Sequence, residues 1–345
     1  MLSIFGANNK KGSILIFALW VLVFLTMFAV QIGLSLRAKI SLIARIEKRS
    51  QLHYLVQAGV TKAISVLRKD LIRNNNSYTV DSKMIRHNNI NEFTPQELGL
   101  GHFEVFYKEF NRLSSQEEIY FGFVDEERKL NINTADAIEI KRLIMYVLNM
   151  DDETAQEITE AIFDWREFGK SQLTGFYSDD YYSNLQYPYP VKDFDFEVYE
   201  ELMLVKGVTN EIYNRLLPFI TVYGEGQVNI NTASLPVLVA LGLDEPVAEK
   251  VLSVRRGNDG VDSSQDDYLF NKTYDIASTV KTFIELTENE MRQIDYLNSK
   301  GKITINSFFY FIQSFGQMDD NSYQLTGLSV YNSRNNRIEY WREKY

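Results

Sequence analysis

From Ile14 to Leu36 the chain reads "ILIFALWVLVFLTMFAVQIGLSL", a run without formal charge and with only a few weakly polar residues. At a helical rise of about 1.5 Å per residue it reaches across a hydrocarbon core about 30 Å thick, which predicts a membrane helix. The leader before it, "MLSIFGANNKKG", carries Lys10 and Lys11, which favour a cytoplasmic N-terminus. A secretory signal peptide has a shorter apolar region closed by a small-residue cleavage site. Here the run is long and continues into a polar helix, so retention is expected. Arg37, Lys39, Arg45, Lys48 and Arg49 follow the span and outnumber the lysines ahead of it, which pulls toward the opposite orientation. Hydropathy alone leaves the orientation open.

Beyond the membrane run, Leu52, Leu55, Val56, Val60, Ala63, Leu67 and Leu71 recur at steps of three and four, the signature of one apolar face on a continuing helix that ends near "RNNNS". From Gly101 to Val124, "GHFEVFYKEF" and "IYFGFV" read as a pair of strands. At the far end "ITINSFFYFIQSFG", "YQLTGLSVY" and "NRIEYW" read as three more. Between them the periodicity is mostly helical, at 136–148, 153–167, 197–203, 209–217, 234–241, 246–256 and 287–298. The fold class expected is α+β: a long N-terminal transmembrane and amphipathic helix packed on an antiparallel sheet, with a large all-α domain inserted between its strands.

The inserted stretch repeats itself. "LNINTADAIEIKRLI" starts at Leu130 and "VNINTASLPVLVALG" at Val228. In each copy a β-prone stretch with two asparagines leads into a helix, with Asp136 or Ser234 as the expected N-cap. Glu139 stands where a capping-box partner belongs, and Pro236 lies in the first turn, where its missing N–H is harmless. A second helix follows in each copy, so both copies read as helix-hairpin-helix-like units. A third unit without the hexapeptide begins at Glu200. Such hairpins can hold phosphate on backbone N–H groups. Here Asp151, Asp152, Glu153, Asp244 and Glu245 crowd the turns, which reverses the electrostatics that nucleic acid requires.

Composition narrows the function classes. The 345 residues carry a formal charge of −10, which repels phosphate, and the absence of cysteine removes thiol chemistry and Cys-based zinc sites. No HExxH, GxSxG or Gly-rich phosphate loop occurs, so no enzyme is expected.

The short basic leader ending in Gly12, followed by an apolar segment that runs on as an amphipathic helix containing "LVQAGVTKAISVL", resembles the type IV prepilin-like proteins. The resemblance implies cleavage by a prepilin peptidase between Gly12 and Ser13, with methylation of the new terminus. Most members carry Glu five residues into the mature chain, and Phe17 stands there instead. That departure resembles the K-type minor pseudopilins of type II secretion. "DEERKLNINTA", "IFDWREF", "EELMLVKGVTNEIYNRLLPFITVYG", "VNINTA" and "ITINSFFYFIQSFG" are similar to that family's landmarks in order.

The family likeness implies a pseudopilin sheet divided as follows: leader 1–12, membrane helix 13–36, pseudopilin helix and first strands 37–129, inserted helical domain 130–300 and returning strands 301–345. It further implies a single-pass protein of the bacterial inner membrane whose C-terminal part is periplasmic, at a filament tip, with other minor pseudopilins as partners. A minor pilin of a type IV pilus or DNA-uptake system, its hairpins touching DNA, is the alternative reading. Calcium is known among pseudopilins of this class. Two acidic loops offer the hard oxygen ligands it takes: Asp179, Asp180, Asp193 and Asp195 in one, and Asp259, Asp262, Asp266 and Asp267 in the other.

Overall fold

The structure, a computed structural model, describes residues 10–73, 89–111, 116–166, 179–260, 266–320 and 323–344. Helix α1 runs unbroken over Lys10–Arg73, a stretch free of proline. Its two halves live in different surroundings. No residue of the helix's most apolar window is buried within the chain, and this is the one helix among the described residues long and apolar enough to cross a membrane. Farther along, Leu52, Leu55, Val56, Val60, Ala63, Val66 and Leu67 are all buried, on the stripe that the three- and four-residue steps predict.

After α1 come α2 (Ile90–Phe93) and the first strands, β1 (Gln96–Leu98), β2 (Gly101–Asn111), β3 (Gln116–Phe121) and β4 (Val124–Asp125). The chain then leaves the sheet. It passes through β5 (Leu130–Asn131), α3 (Ala137–Leu148), α4 (Asp152–Arg166), α5 (Asp179–Ser183), α6 (Asn210–Leu216), β6 (Ile220–Thr221) and β7 (Val228–Asn229). It continues through α7 (Leu235–Ala240), α8 (Glu245–Arg255), α9 (Ile276–Phe283), α10 (Glu288–Ser299) and β8 (Ile303–Thr304). Three long strands complete the sheet: β9 (Phe309–Met318), β10 (Gln324–Asn332) and β11 (Arg337–Lys344). The order is β1-β2-β9-β10-β11, with β3 also on β2 and β4 also on β9, and every pairing in it is antiparallel.

Strand β9 shows how sequence makes this sheet two-sided. Tyr310, Ile312, Ser314 and Met318 are buried on alternate positions, and the residues between them are only partly covered. The buried face takes α1, and it takes it at close range because three glycines clear the way. A Cβ at Gly327 would sit 2.1 Å from Val56 Cγ1, and one at Gly59 would sit 2.1 Å from Ser314 Oγ. At Gly316 it would lie 3.1 Å from the Leu55 Cβ. The helix therefore rests on backbone, and its Leu and Val side chains fill the space to either side.

The structure corrects the expectation in four places. The region between the sheet halves is not all helical: β5 pairs in parallel with β6, and β7 with β8. The helix expected at 197–203 is a 3-10 segment, Tyr199–Leu204. Helix α9 has no counterpart in the periodicity reading. Ser234 occupies the N-cap position of α7 without a side-chain capping bond, whereas Asp136 and Glu139 form the full capping box of α3.

Replacing Gly327 or Gly59 with Val is expected to push α1 off the sheet and destabilise the fold by about 1–3 kcal/mol. Gly33→Ala, where nothing lies within 4 Å, is expected to leave the melting temperature unchanged. Thermal unfolding of the three variants in detergent, followed by intrinsic fluorescence, checks this.

Candidate functional site

Where the chain leaves the sheet it writes three consecutive acids, Asp125, Glu126 and Glu127, and all three are buried. Asp125 caps a 3-10 turn over Glu126–Arg128, accepting the Glu127 N–H at 2.8 Å. Its other oxygen accepts three side-chain donors from distant segments: the hydroxyls of Ser307 at 2.5 Å and Thr232 at 2.6 Å, and the Asn229 amide at 3.0 Å. Glu126 accepts the Tyr199 hydroxyl at 2.8 Å, the Thr221 hydroxyl at 2.7 Å and the Lys129 ammonium at 2.6 Å. Glu127 accepts the backbone N–H of Phe308. One short turn thus ties the exit of the first sheet half to the insertion and to the start of β9.

The electrostatics follow from burial. Desolvation pushes the Asp125 carboxyl up, against hydrogen bonds from Ser307, Thr232, Glu127 and Asn229 that hold it down. Glu127 is pushed up to about 8, first by burial and then by the neighbouring Asp125 charge. Four donors converge on Asp125 and oppose the rise that burial causes there, while Glu127, pushed higher than neutral, keeps its proton at neutral pH. Burial and the Glu126 charge push the Tyr199 hydroxyl well up as well. These acids are closed off from solvent and spoken for by structural donors, and their arrangement fastens segments together.

The repeated hexapeptide is the other half of the junction. In the first copy the Asn131 carbonyl accepts the Asn133 N–H at 2.9 Å, and its amide donates to the carbonyls of Tyr223 and Gly224. Asn133 then grips one backbone unit from both sides: it accepts the Phe196 N–H at 2.8 Å and donates to the Phe196 carbonyl at 2.9 Å. The second copy repeats the turn bond and the two-sided grip. Asn229 accepts the Asn231 N–H at 3.0 Å, and Asn231 accepts from and donates to Phe270, both at 2.9 Å. Arg166, at the end of α4, donates to the carbonyls of Ile132 and Ala135, and Arg255, at the end of α8, donates to those of Ile230 and Ala233. Only a short amide can accept and donate in this way, so Asp lacks the donor and Gln overreaches.

The copies differ in what their first asparagine reaches. Asn131 ends on backbone, whereas Asn229 ends on Asp125 and on Ser307 at 2.7 Å. The second copy is therefore wired to the sheet. Sequence reasoning marks both hexapeptides and quotes the acids only as the head of the landmark "DEERKLNINTA", with no role of their own. The available signal was three consecutive carboxylates between a strand and the first asparagine pair.

The turns between paired helices each hold a left-handed residue: Asn149 (φ 54°), Gly207 (φ 83°) and Gly242 (φ 112°). Asp151 accepts the Thr154 N–H at 3.0 Å, and Thr154 holds its carboxyl below the usual range. Asp244 accepts from the Gln293 amide at 2.6 Å. Carboxylates of the chain itself stand where a phosphate would approach.

The candidate ligand residues are dispersed. Ser13 is exposed near the start of α1, and Gly12 precedes it in that helix. Asp180 and Asp195 are exposed, Asp193 is partly buried at φ 52°, and the Asp179 side chain lies outside the described residues. In the other loop Asp266 accepts the N–H groups of Asn258 at 2.6 Å and Asp259 at 3.3 Å, closing a turn. Asp259 is exposed, Asp267 is partly buried, and Asp262 lies outside the described residues. Among the described residues, neither set brings three carboxylate ligand atoms within 4.8 Å of one another, and each set has a member, Asp179 or Asp262, whose side chain lies outside those residues.

Residues 111–225 match the family model described as type II secretion system (T2SS), protein K. Over 134 residues the chain is 31% identical to the type II secretion system protein K of Pseudomonas aeruginosa, covering 38% of this chain and 40% of that protein. Over 127 residues it is 29% identical to the protein of that name from Pectobacterium carotovorum, covering 35% and 38%. The alignments thus span about two fifths of these relatives. In fold, a chain of the crystal structure of the GspK-GspI-GspJ complex from the enterotoxigenic Escherichia coli type 2 secretion system superposes with a TM-score of 0.57 at 15% identity, over 87% of this chain and 99% of that one. By sequence the chain is similar to the K-type minor pseudopilins, as its ordered landmarks imply, and its mixed helix and antiparallel sheet match that structure.

Two outcomes are expected at the junction. Asp125→Ala strands the donors of Ser307, Thr232 and Asn229 in the interior, which is expected to cost about 3 kcal/mol or more, read as a lowered melting temperature. For Glu127 the folded pKa of about 8 stands above its ordinary 4.5, so its contribution is full below pH 4.5 and is lost as pH rises through 8. Glu127→Gln is expected to flatten the fall in melting temperature between about pH 5 and about pH 9.

Proposed function

We propose that this protein is a minor pseudopilin at the tip of a type II secretion pseudopilus, where it starts the filament and supports protein export across the outer membrane. The observation that carries this reading is the division of α1. Its apolar half has no cover within the chain, and its second half is sealed on a sheet from which a large insertion departs.

In this reading the uncovered half stores the subunit in the inner membrane with the C-terminal part in the periplasm, and later packs against the corresponding helices of other subunits. Large domains are exported largely regardless of nearby charge, which accommodates the basic residues after the span. A peptidase cut between Gly12 and Ser13 exposes the new terminus. A terminal subunit has no neighbour above it, so the uncharged Phe17 costs no ion pair in lipid. The insertion adds bulk that would clash with a subunit stacked above.

Partners of the same kind are supported by the structural neighbour, which was solved in a complex with GspI and GspJ. Helix-hairpin-helix-like geometry in the repeated helix pairs serves this role as rigid packing. The DNA-contacting alternative is disfavoured by Asp151 and Asp244 in the hairpin turns. Calcium, implied by the resemblance, would find oxygen donors in the two acidic loops.

Intact mass spectrometry of the protein from membranes, with and without the host's prepilin peptidase, is expected to show a chain beginning at methylated Ser13 only when the peptidase is present. A chain keeping its leader in both would overturn the pseudopilin reading. Co-purification of the processed chain with the smaller minor pseudopilins tests the place at the tip.

A further inference from the structure

A separate group of side chains lies at the far edge of the sheet, away from the carboxylate junction. Glu97 on β1 and His102 on β2 face each other directly across the hairpin. Asp319 follows the last residue of β9, and its N–H donates to the Leu100 carbonyl at 3.1 Å, which pins it to the turn of the same hairpin. One ligand atom from each residue lies within 4.8 Å of the others. Glu97 and Asp319 are exposed and His102 is partly buried, so the group opens to solvent. Among the described residues no hydrogen bond ties up any of the three side chains.

We propose that Glu97, His102 and Asp319 bind a divalent transition-metal ion of the zinc class. The donor set decides the class. An imidazole nitrogen beside two carboxylates suits zinc and its neighbours, while calcium and magnesium call for oxygen alone. Two carboxylates offset the dication, and Glu104, two residues beyond His102 along β2 and in electrostatic contact with it, adds a third negative charge nearby. Three protein ligands leave a position for water or for a donor from another chain. The backbone is already fixed: the Glu97–His102 register belongs to a strand pair, Gly99 turns the hairpin at φ 69°, and the Asp319 amide is anchored, so binding orders side chains only. Bound there, the ion would clasp the β1–β2 hairpin to the end of β9.

The test is zinc titration of the full chain in detergent at neutral pH, without a polyhistidine tag, by calorimetry with ICP mass spectrometry after dialysis. The expected result is one zinc per chain, with binding weakened at least tenfold in His102→Ala and again in Asp319→Asn, while His53→Ala, at a histidine paired with Glu343, leaves it unchanged. Cobalt in place of zinc is expected to give visible absorption that His102→Ala abolishes. Asp319→Asn changes an exposed side chain, so a folded variant is at hand if His102→Ala melts early; unchanged melting temperatures qualify each variant. Retention of wild-type zinc affinity by both folded variants, or no binding at about 100 μM zinc, overturns the site and leaves the three residues as a plain polar surface.

Discussion

Everything beyond the sheet hangs on one buried carboxyl group. Asp125 is the last residue of β4, and its carboxyl collects donors from residues a hundred and more positions farther along the chain: Asn229 and Thr232 from the second hexapeptide, and Ser307 from the approach to β9. A carboxylate in that position is costly unless every lone pair is met, and here the donors meet it. The interaction is thereby selective, because no other placement of the insertion brings all the donors to the same oxygens.

Around that group the two hexapeptides act as matched clamps. Each uses one asparagine to shape its own turn and a second to hold a remote backbone unit, Phe196 or Phe270, and each is closed by an arginine from the end of the second helix after it. The segment from Tyr182 to Phe196 is held by the first clamp. Phe196 stacks on Trp165 at 6.5 Å, and Tyr182 and Tyr189 complete the ring cluster at 5.6 and 6.2 Å. A single continuous core runs from Leu130 to Ile303 through the insertion.

Much of this was legible in the chain itself. The steps of three and four at Leu52, Leu55, Val56 and Val60 placed the buried face of α1, and Asp136 with Glu139 announced the start of α3, because these signals are local. The two-residue ladders β5–β6 and β7–β8 were not legible, since a pair of residues carries no period and pairs with partners ninety and seventy-odd positions away. The carboxylates were missed for a related reason: acids next to one another read as solvated surface, and only tertiary neighbours such as Thr232 and Ser307 turn them into interior. The metal-type group at Glu97, His102 and Asp319 is likewise assembled by strand pairing, with no spacing in sequence to betray it.

The point of departure and the point of return of the insertion are neighbours in space. Val124 pairs with Phe311 and Asp125 with Tyr310, so the sheet is already stitched shut across the gap from which some 180 residues emerge. Because both ends of the segment meet on one pair of strands, its length places no strain on the β4–β9 pairing.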